Sequence, residues 1–87
     1  MVNIDIYTSA SCPYCIRAKS LLKSKGVQFN ELIVDENSDL IAESVKRSDG
    51  MRTVPQIFIE NYHVGGYDVL SRLDQNGKLE SLLELNS

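Results

Sequence analysis

Residues 2–26, VNIDIYTSASCPYCIRAKSLLKSKG, join a strand pattern directly to a helix pattern. Apolar and polar side chains alternate over residues 2–6, which is typical of a strand. Pro13 suits the first turn of a helix, and apolar residues at helical spacing extend this helix over residues 13–25. Gly26 is a suitable stop, because glycine readily adopts the left-handed conformation that ends many helices.

The rest of the chain predicts the other elements. Residues 27–34 are rich in β-branched and aromatic side chains and predict a second strand, parallel to the first because a helix connects the two. Asn37 or Ser38 is predicted to cap a second helix that ends near Ser48. The remaining predictions are a strand over 56–60, a turn at Asn61-Tyr62, an antiparallel strand at His63-Val64, a helix over 68–75 and a last helix around Leu79, Leu82 and Leu83. Inward-facing side chains of the second and third helices are predicted at Leu40, Ile41, Val45, Val69, Leu70 and Leu73.

The order β-α-β-α-β-β-α-α predicts an α/β fold, a four-stranded mixed sheet flanked by helices, in a single domain over residues 1–87. Hydrophobic residues make up 43% and charged residues 24%, as in folded soluble proteins. No apolar run approaches the roughly 20 residues that span a bilayer, so we expect no membrane segment. Nine basic and twelve acidic residues give a net charge of -3, which argues against a nucleic-acid partner.

The two cysteines occur as Cys12-Pro13-Tyr14-Cys15, where the first strand passes into the first helix. The thiolate is the form of cysteine that attacks disulfides. A helix N-terminus offers unpaired N–H groups and a partial positive charge, which favour the thiolate of Cys12. Cys15 lies one turn further into the helix and is expected to be less exposed, which suits a resolving thiol.

The charges around this pair are one-sided, because residues 6–30 contain no acidic side chain. A positive neighbourhood would favour a thiolate and attract an anionic thiol substrate. Arg17 and Lys19 are candidates for this electrostatic support, whereas Lys23 and Lys25 fit a solvated helix face better.

A zinc site or a structural disulfide accounts less well for the pair. A zinc site needs four ligands, and beyond the two thiols the chain offers only His63 as a nitrogen ligand. A structural disulfide across two residues closes too short a loop to stabilise much. Paired rather than widely spaced cysteines, with no signal peptide, indicate a reducing compartment, and we expect the cytoplasm. The sequence therefore predicts a redox motif without a metal.

Two further blocks accompany the cysteines: residues 53–59, TVPQIFI, and residues 63–68, HVGGYD. Together with CPYC and the RAK that follows at 17–19, they resemble the glutaredoxin family over nearly the whole chain. The resemblance implies a thioredoxin-like fold and glutathione-dependent reduction of protein disulfides and glutathione mixed disulfides. The Pro-Tyr filling resembles the dithiol branch, in which Cys12 would attack and Cys15 would resolve.

The resemblance also implies a glutathione groove. In the family the peptide before the Pro55 position is cis, and the backbone of Val54 would pair with glutathione as with an added strand. Gly66 would let the ligand approach the backbone, and the N–H groups of Tyr67 and Asp68 would hold its γ-glutamyl carboxylate. The implied glutathione-binding residues are Tyr14, Thr53, Val54, Pro55, Gly66, Tyr67 and Asp68, with Arg52 or Gln56 as weaker candidates for the glycine carboxylate.

Each part of this groove also has a plain structural interpretation. Thr53 and its neighbours could merely start a strand, Gly66 could serve a turn and helix cap, and Tyr14 could be an ordinary exposed tyrosine. His63 is interpreted as a plain strand residue.

Two positions depart from the family pattern. Ser9 stands where many members have a lysine that contacts glutathione, and Val69 stands where many have an aspartate. These departures motivate one alternative, a redoxin reduced by a flavoprotein thioredoxin reductase. A second alternative is an iron–sulfur carrier in which two chains bridge a cluster through Cys12 and glutathione; in the family, Pro13 disfavours it. The expected partners are glutathione and disulfide-bearing or glutathionylated proteins, and the expected state is a monomer.

Overall fold

The chain forms strands and helices in the predicted alternation. A computed structural model describes residues 2–84, so Met1 and 85–87 of the predicted domain lie outside the described residues. The order of elements confirms β-α-β-α-β-β-α-α. The bounds are β1 Ile4–Thr8, α1 Pro13–Ser24, β2 Asn30–Ile33, α2 Ser38–Arg47, β3 Gln56–Ile59, β4 Tyr62–Gly65, α3 Tyr67–Gln75 and α4 Lys78–Leu82.

The sheet has the strand order β2-β1-β3-β4, which confirms a mixed sheet. β1 runs parallel to β2, with Thr8 opposite Ile33, and antiparallel to β3, with Ile6 opposite Ile57. β4 returns antiparallel to β3, with His63 opposite Phe58. The central position of β1 and β3 explains their burial, because central strands are covered on both faces.

Helices cover the two faces of the sheet differently. Alternate residues of β1 point to opposite faces. Ile4 and Ile6 belong to the apolar core, whereas Tyr7 bonds to side chains of α2 on the other face. The apolar side is therefore covered by α1, α3 and α4, and α2 lies on the opposite side. The buried core members are Ile4, Ile6, Ala18, Leu22, Ile57, Ile59, Val64, Leu70, Leu79 and Leu83.

Helix ends follow the predicted signals. Pro13 begins α1, and Gly26 follows its C-cap with a φ of 74°, a left-handed conformation that glycine adopts without strain. Asn37 rather than Ser38 caps α2, because its side-chain oxygen accepts a hydrogen bond from Leu40 N at 3.1 Å. No helix within residues 2–84 is long and apolar enough to cross a membrane.

Some boundaries and two inward-facing assignments were wrong. β2 begins at Asn30 rather than Val27, and the hairpin turn falls at Glu60-Asn61. Ile41 is 42% exposed and Val69 is 37% exposed, although both were expected to face inward. Ile41 follows Leu40 and Val69 precedes Leu70, and both leucines are better buried. Because neighbouring helical positions point about 100° apart, a helix that buries the leucine turns its neighbour toward the edge of the buried face.

Candidate active site

Cys12 lies at the N-cap of α1 and its sulfur is held by backbone groups. The Sγ atom accepts a hydrogen bond from Cys15 N at 3.2 Å, and it lies 3.8 Å from the carbonyl oxygen of Val54. The amide of Cys12 donates in turn to Ser9 O at 3.3 Å. A helix start thus presents an N–H donor to a partly exposed sulfur, the arrangement that suits a thiolate nucleophile.

Cys15 occupies the inner position, as predicted. It is 1% exposed, and both cysteines are free thiols. Burial raises the pKa of Cys15 to about 12, and a hydrogen bond to Cys12 adds to this shift. A backbone hydrogen bond from Ser9 and the charge of Lys19 oppose it. Cys15 is therefore a protonated thiol at neutral pH, which leaves Cys12 as the sulfur able to attack first.

A groove of about 840 Å³ is lined in part by Val54, whose carbonyl oxygen lies 3.8 Å from the Cys12 sulfur. Its floor includes the Val54-Pro55 peptide, which is cis as the family resemblance implied. Tyr14 and Tyr67 form an aromatic wall, with ring centroids 6.4 Å apart. All seven residues implied as glutathione-binding line this groove. The full lining is Tyr14, Met51, Thr53, Val54, Pro55, Gln56, Gly66, Tyr67, Asp68, Val69, Ser71, Arg72 and Gln75.

The far end of the groove is the start of α3. Gly66 is its N-cap and supplies no side chain, and no side-chain cap bonds the first turn of this helix. Asp68 lies in that turn, and its side chain makes no cap hydrogen bond to the helix. The residues of this first turn line a cavity large enough for a small peptide, and the N-terminus of a helix is a suitable place to receive a carboxylate.

Comparison with known proteins identifies the chain. The family model for glutaredoxin matches residues 4–64, which include the cysteine pair and the residues on both sides of Pro55.

The chain belongs to the glutaredoxin family.

This glutaredoxin is 55% identical to Glutaredoxin 3 of Escherichia coli strain K12 over 84 residues, 97% of this chain and 100% of that protein. The solution structure of a glutaredoxin from Brucella melitensis matches with a TM-score of 0.84 and 49% identity, covering 100% of this chain and 94% of that chain. The crystal structure of a buckwheat glutaredoxin–glutathione complex matches with a TM-score of 0.85 and 30% identity, covering 95% of this chain and 77% of that chain. These matches confirm the thioredoxin-like fold, and the protein is a thiol–disulfide oxidoreductase.

Two of the basic residues in or beside α1 form ion pairs that the sequence did not predict. Lys19 pairs with Glu31 at 2.8 Å, and Lys25 pairs with Glu80 at 2.5 Å and with Asp74. These acids come from other elements, so the acid-free stretch of sequence is not acid-free in space. Lys19 still lowers the pKa of Cys15. The remaining candidate is Arg17, whose guanidinium lies 5.2 Å from the ring centroid of Tyr14 at the rim of the groove.

One residue that positions the site escaped the sequence analysis. Asp35 accepts hydrogen bonds from Ser9 Oγ at 2.7 Å and from Ala10 N at 2.8 Å. The Ala10 bond, followed by the Ser9 bond, lowers the pKa of Asp35. The available signal was topological, because β1 and β2 are parallel and their carboxyl ends meet at one edge of the sheet.

Proposed function

We propose that this glutaredoxin uses glutathione as its electron donor, binding it in the groove beside Cys12. The observation that carries the proposal is that Val54 and the first residues of α3 line one groove, and that the Cys12 sulfur lies 3.8 Å from the Val54 carbonyl oxygen. Glutathione is an extended peptide with a thiol near its middle and carboxylates at both ends, so it matches these three features. The neighbouring buckwheat structure, solved with glutathione, supports the same assignment.

With a glutathione mixed disulfide as substrate, two thiol–disulfide exchanges complete the reaction. The thiolate of Cys12 attacks the glutathione sulfur, forms a Cys12–glutathione disulfide and releases the protein thiolate. A second glutathione thiolate then attacks the glutathione sulfur of that intermediate. The products are oxidised glutathione and the Cys12 thiolate, so this route does not need Cys15.

With a protein disulfide as substrate, the second cysteine takes part. Cys12 attacks one sulfur and forms a mixed disulfide with the protein. Cys15, after losing its proton to solvent, attacks the Cys12 sulfur, releases the second protein thiolate and leaves a Cys12–Cys15 disulfide. Two molecules of glutathione return this disulfide to the dithiol. The first attacks the Cys12 sulfur, forms a Cys12–glutathione disulfide and releases Cys15. The second attacks the glutathione sulfur of that disulfide, which releases oxidised glutathione and Cys12.

The protonation of Cys15 suits this order of events. Two of the causes that raise its pKa are the hydrogen bond to Cys12 and the Coulomb interaction with Cys12. Both weaken once the Cys12 sulfur is neutral in a mixed disulfide, while the opposing contributions of Ser9 and Lys19 remain. Cys15 therefore becomes easier to deprotonate when a disulfide is ready for it to attack.

The proposal extends to surroundings and partners. We propose that the protein acts in the cytoplasm, where glutathione keeps thiols reduced. It acts as a monomer on disulfide-bearing or glutathionylated proteins and without a metal cofactor. Residues 2–84 contain no group of three or more His, Cys, Asp or Glu side chains arranged to hold a metal ion. Light scattering of the reduced protein, and its metal content after purification, test the monomer and metal assignments.

The deciding experiment is glutathione-coupled reduction of a small glutathione mixed disulfide and of a protein disulfide by three proteins. We expect the wild type to reduce both, Cys15→Ser to reduce only the mixed disulfide, and Cys12→Ser to reduce neither. Equal loss of both activities in Cys15→Ser would contradict the two-route mechanism.

A thioredoxin reductase assay run in parallel tests the alternative donor. Val69 presents an apolar side chain to the groove, and Ser9 is bound to Asp35, so neither supplies a charge to glutathione. If the wild type is inactive with glutathione but turns over with a flavoprotein reductase, the proposed donor is wrong. Turnover with glutathione alone shows that both departures are tolerated.

A further inference from the structure

A line of polar side chains runs behind the groove from β4 to Thr53. His63 Nε2 lies 2.7 Å from Gln56 Oε1. The amide nitrogen of Gln56 donates to Thr53 O at 3.0 Å and to Thr53 Oγ1 at 3.1 Å. Gln56 is 1% exposed, so its amide has no water to replace a missing partner. Three residues on two strands and one loop are thus connected by side-chain hydrogen bonds.

The carbonyl oxygen of Thr53 determines which atoms donate and which accept in these hydrogen bonds. A carbonyl oxygen can only accept, so the NH₂ group of Gln56 must face Thr53 and its Oε1 must face His63. An amide oxygen also only accepts, so His63 Nε2 must carry a hydrogen. The neutral tautomer with hydrogen on Nε2 and the imidazolium both satisfy this requirement.

The imidazole of His63 is held in place by the sheet. It lies opposite Phe58 on the neighbouring strand and stacks on that ring, with centroids 4.8 Å apart and planes 23° apart. Phe58 is 2% exposed, and the Arg47 guanidinium lies 4.1 Å from its centroid. Gln56 is two residues before Phe58 on β3, which places it on the same face as a diagonal neighbour of His63.

We infer that His63 is a positioning residue of the glutathione groove, acting through Gln56 on the hydroxyl of Thr53. Because Thr53 Oγ1 already accepts from Gln56, its own hydrogen must point elsewhere. Thr53 lines the groove, so that hydrogen is available to an acceptor there, a carboxylate or carbonyl oxygen of the bound peptide. Hydrogen bonds in a chain polarise one another, which strengthens the last donor. The inference rests on the proposed function of the groove.

Two substitutions of His63 separate this role from packing. His63→Phe keeps a ring that can stack on Phe58 but removes the donor. His63→Gln loses the ring but keeps an amide nitrogen at about the reach of Nε2. We expect His63→Phe to raise KM for a glutathione mixed disulfide about five-fold, the effect of one hydrogen bond, with kcat changed less than about two-fold. We expect His63→Gln to keep KM within about two-fold of the wild type. The opposite ranking would show that His63 acts only by packing.

A double-mutant cycle with Thr53→Val tests the connection itself. Once the Thr53 hydroxyl is absent, His63→Phe should raise KM less than about two-fold further, because residues that act through one another are not additive. Independent effects that multiply would overturn the inference. Tyr62→Leu is the matched control, since Tyr62 is the exposed neighbour of His63 on β4 and belongs to none of these bonds.

A measurement without glutathione distinguishes failure of this inference from failure of the proposed function. Nitrogen-15 NMR of the imidazole in the free, reduced protein should show hydrogen on Nε2 of the neutral ring. A neutral ring with hydrogen on Nδ1 would overturn the inference even if glutathione turnover is normal. Hydrogen on Nε2 with no turnover by the wild type would instead reject glutathione as the donor.

Discussion

At the scale of single residues, Asp35 ties the loop that carries Cys12 to the end of β2. Its two oxygens bind different groups of that loop, the Ser9 hydroxyl and the Ala10 amide. We expect Asp35→Ala to lower kcat/KM for a glutathione mixed disulfide by about three- to ten-fold, because small displacements of a nucleophile are costly. The measurement is steady-state turnover at fixed glutathione.

Glu36→Gln is the control for this variant, because it changes the neighbouring charge without touching the loop bonds. We expect it to turn over like the wild type. An equal loss in Glu36→Gln would show that the charge of this segment matters rather than the tie made by Asp35.

Cys15 makes the stability of the reduced protein depend on alkaline pH. Burial, followed by the hydrogen bond to Cys12, raises its pKa from 9.0 to about 12. Between these values the unfolded chain has lost this proton and the folded chain keeps it, so stability decreases as pH rises. We expect the free energy of unfolding of the reduced wild type to fall between about pH 9 and pH 12 more steeply than that of Cys15→Ser. Urea titrations at several pH values measure this, and parallel slopes would contradict it.

At the scale of elements, α2 is attached to the sheet through Arg47. Its Nη1 donates to Asp5 Oδ2 at 3.0 Å and to Tyr7 OH at 2.8 Å, and its guanidinium lies over Phe58. We expect Arg47→Ala to lower the free energy of unfolding by roughly 1–3 kcal/mol, since charged hydrogen bonds and a cation–π contact are lost together. Chemical denaturation measures it. The exposed neighbour provides a control, Lys46→Ala, which should cost less than about 0.5 kcal/mol.

The attachment of α2 through Arg47 explains why the sequence predicts the positions of the helices and strands but not the orientation of α2. Periodicity located all four helices and all four strands within residues 2–84. It failed on the orientation of α2, where Ile41 was expected to face inward, because the buried residue of that helix is Ser44. An apolar pattern cannot anticipate a helix that is joined to its sheet by an arginine and a glutamate.

The residues of the site also separate into those that the sequence predicts and those that it does not. The cysteine pair and the seven residues implied as glutathione-binding belong to the motif blocks that resemble a known family, and all seven of those residues line the groove. Met51, Ser71, Arg72 and Gln75 also line it and were not predicted. Asp35 was missed because its partners are fixed by strand register. Asp35 meets a loop 25 and 26 residues away, and a local pattern carries no information about such a contact.

At the scale of the whole molecule, the net charge of -3 is distributed so that acids screen the basic face of α1. Glu31 accepts from Lys19 at 2.8 Å and from Thr8 Oγ1 at 2.8 Å. The hydrogen bond from Lys19 is the largest cause that lowers the pKa of Glu31, so the pair stays ionised at neutral pH. An anionic substrate that approaches Cys12 therefore meets less positive charge than the sequence of α1 suggests.

Glu31→Gln removes this screening while leaving an oxygen that can still accept from Thr8. We expect kcat/KM for an anionic glutathione mixed disulfide to rise about two-fold near 10 mM salt, where the screening length is about 30 Å. The gain should vanish near 1 M salt, where that length falls to about 3 Å. Glu36→Gln makes the same change in net charge away from Lys19 and should show no gain. A gain that persists at high salt would show that the effect is not electrostatic. A gain that Glu36→Gln shares would show that it does not come from the charge of Lys19.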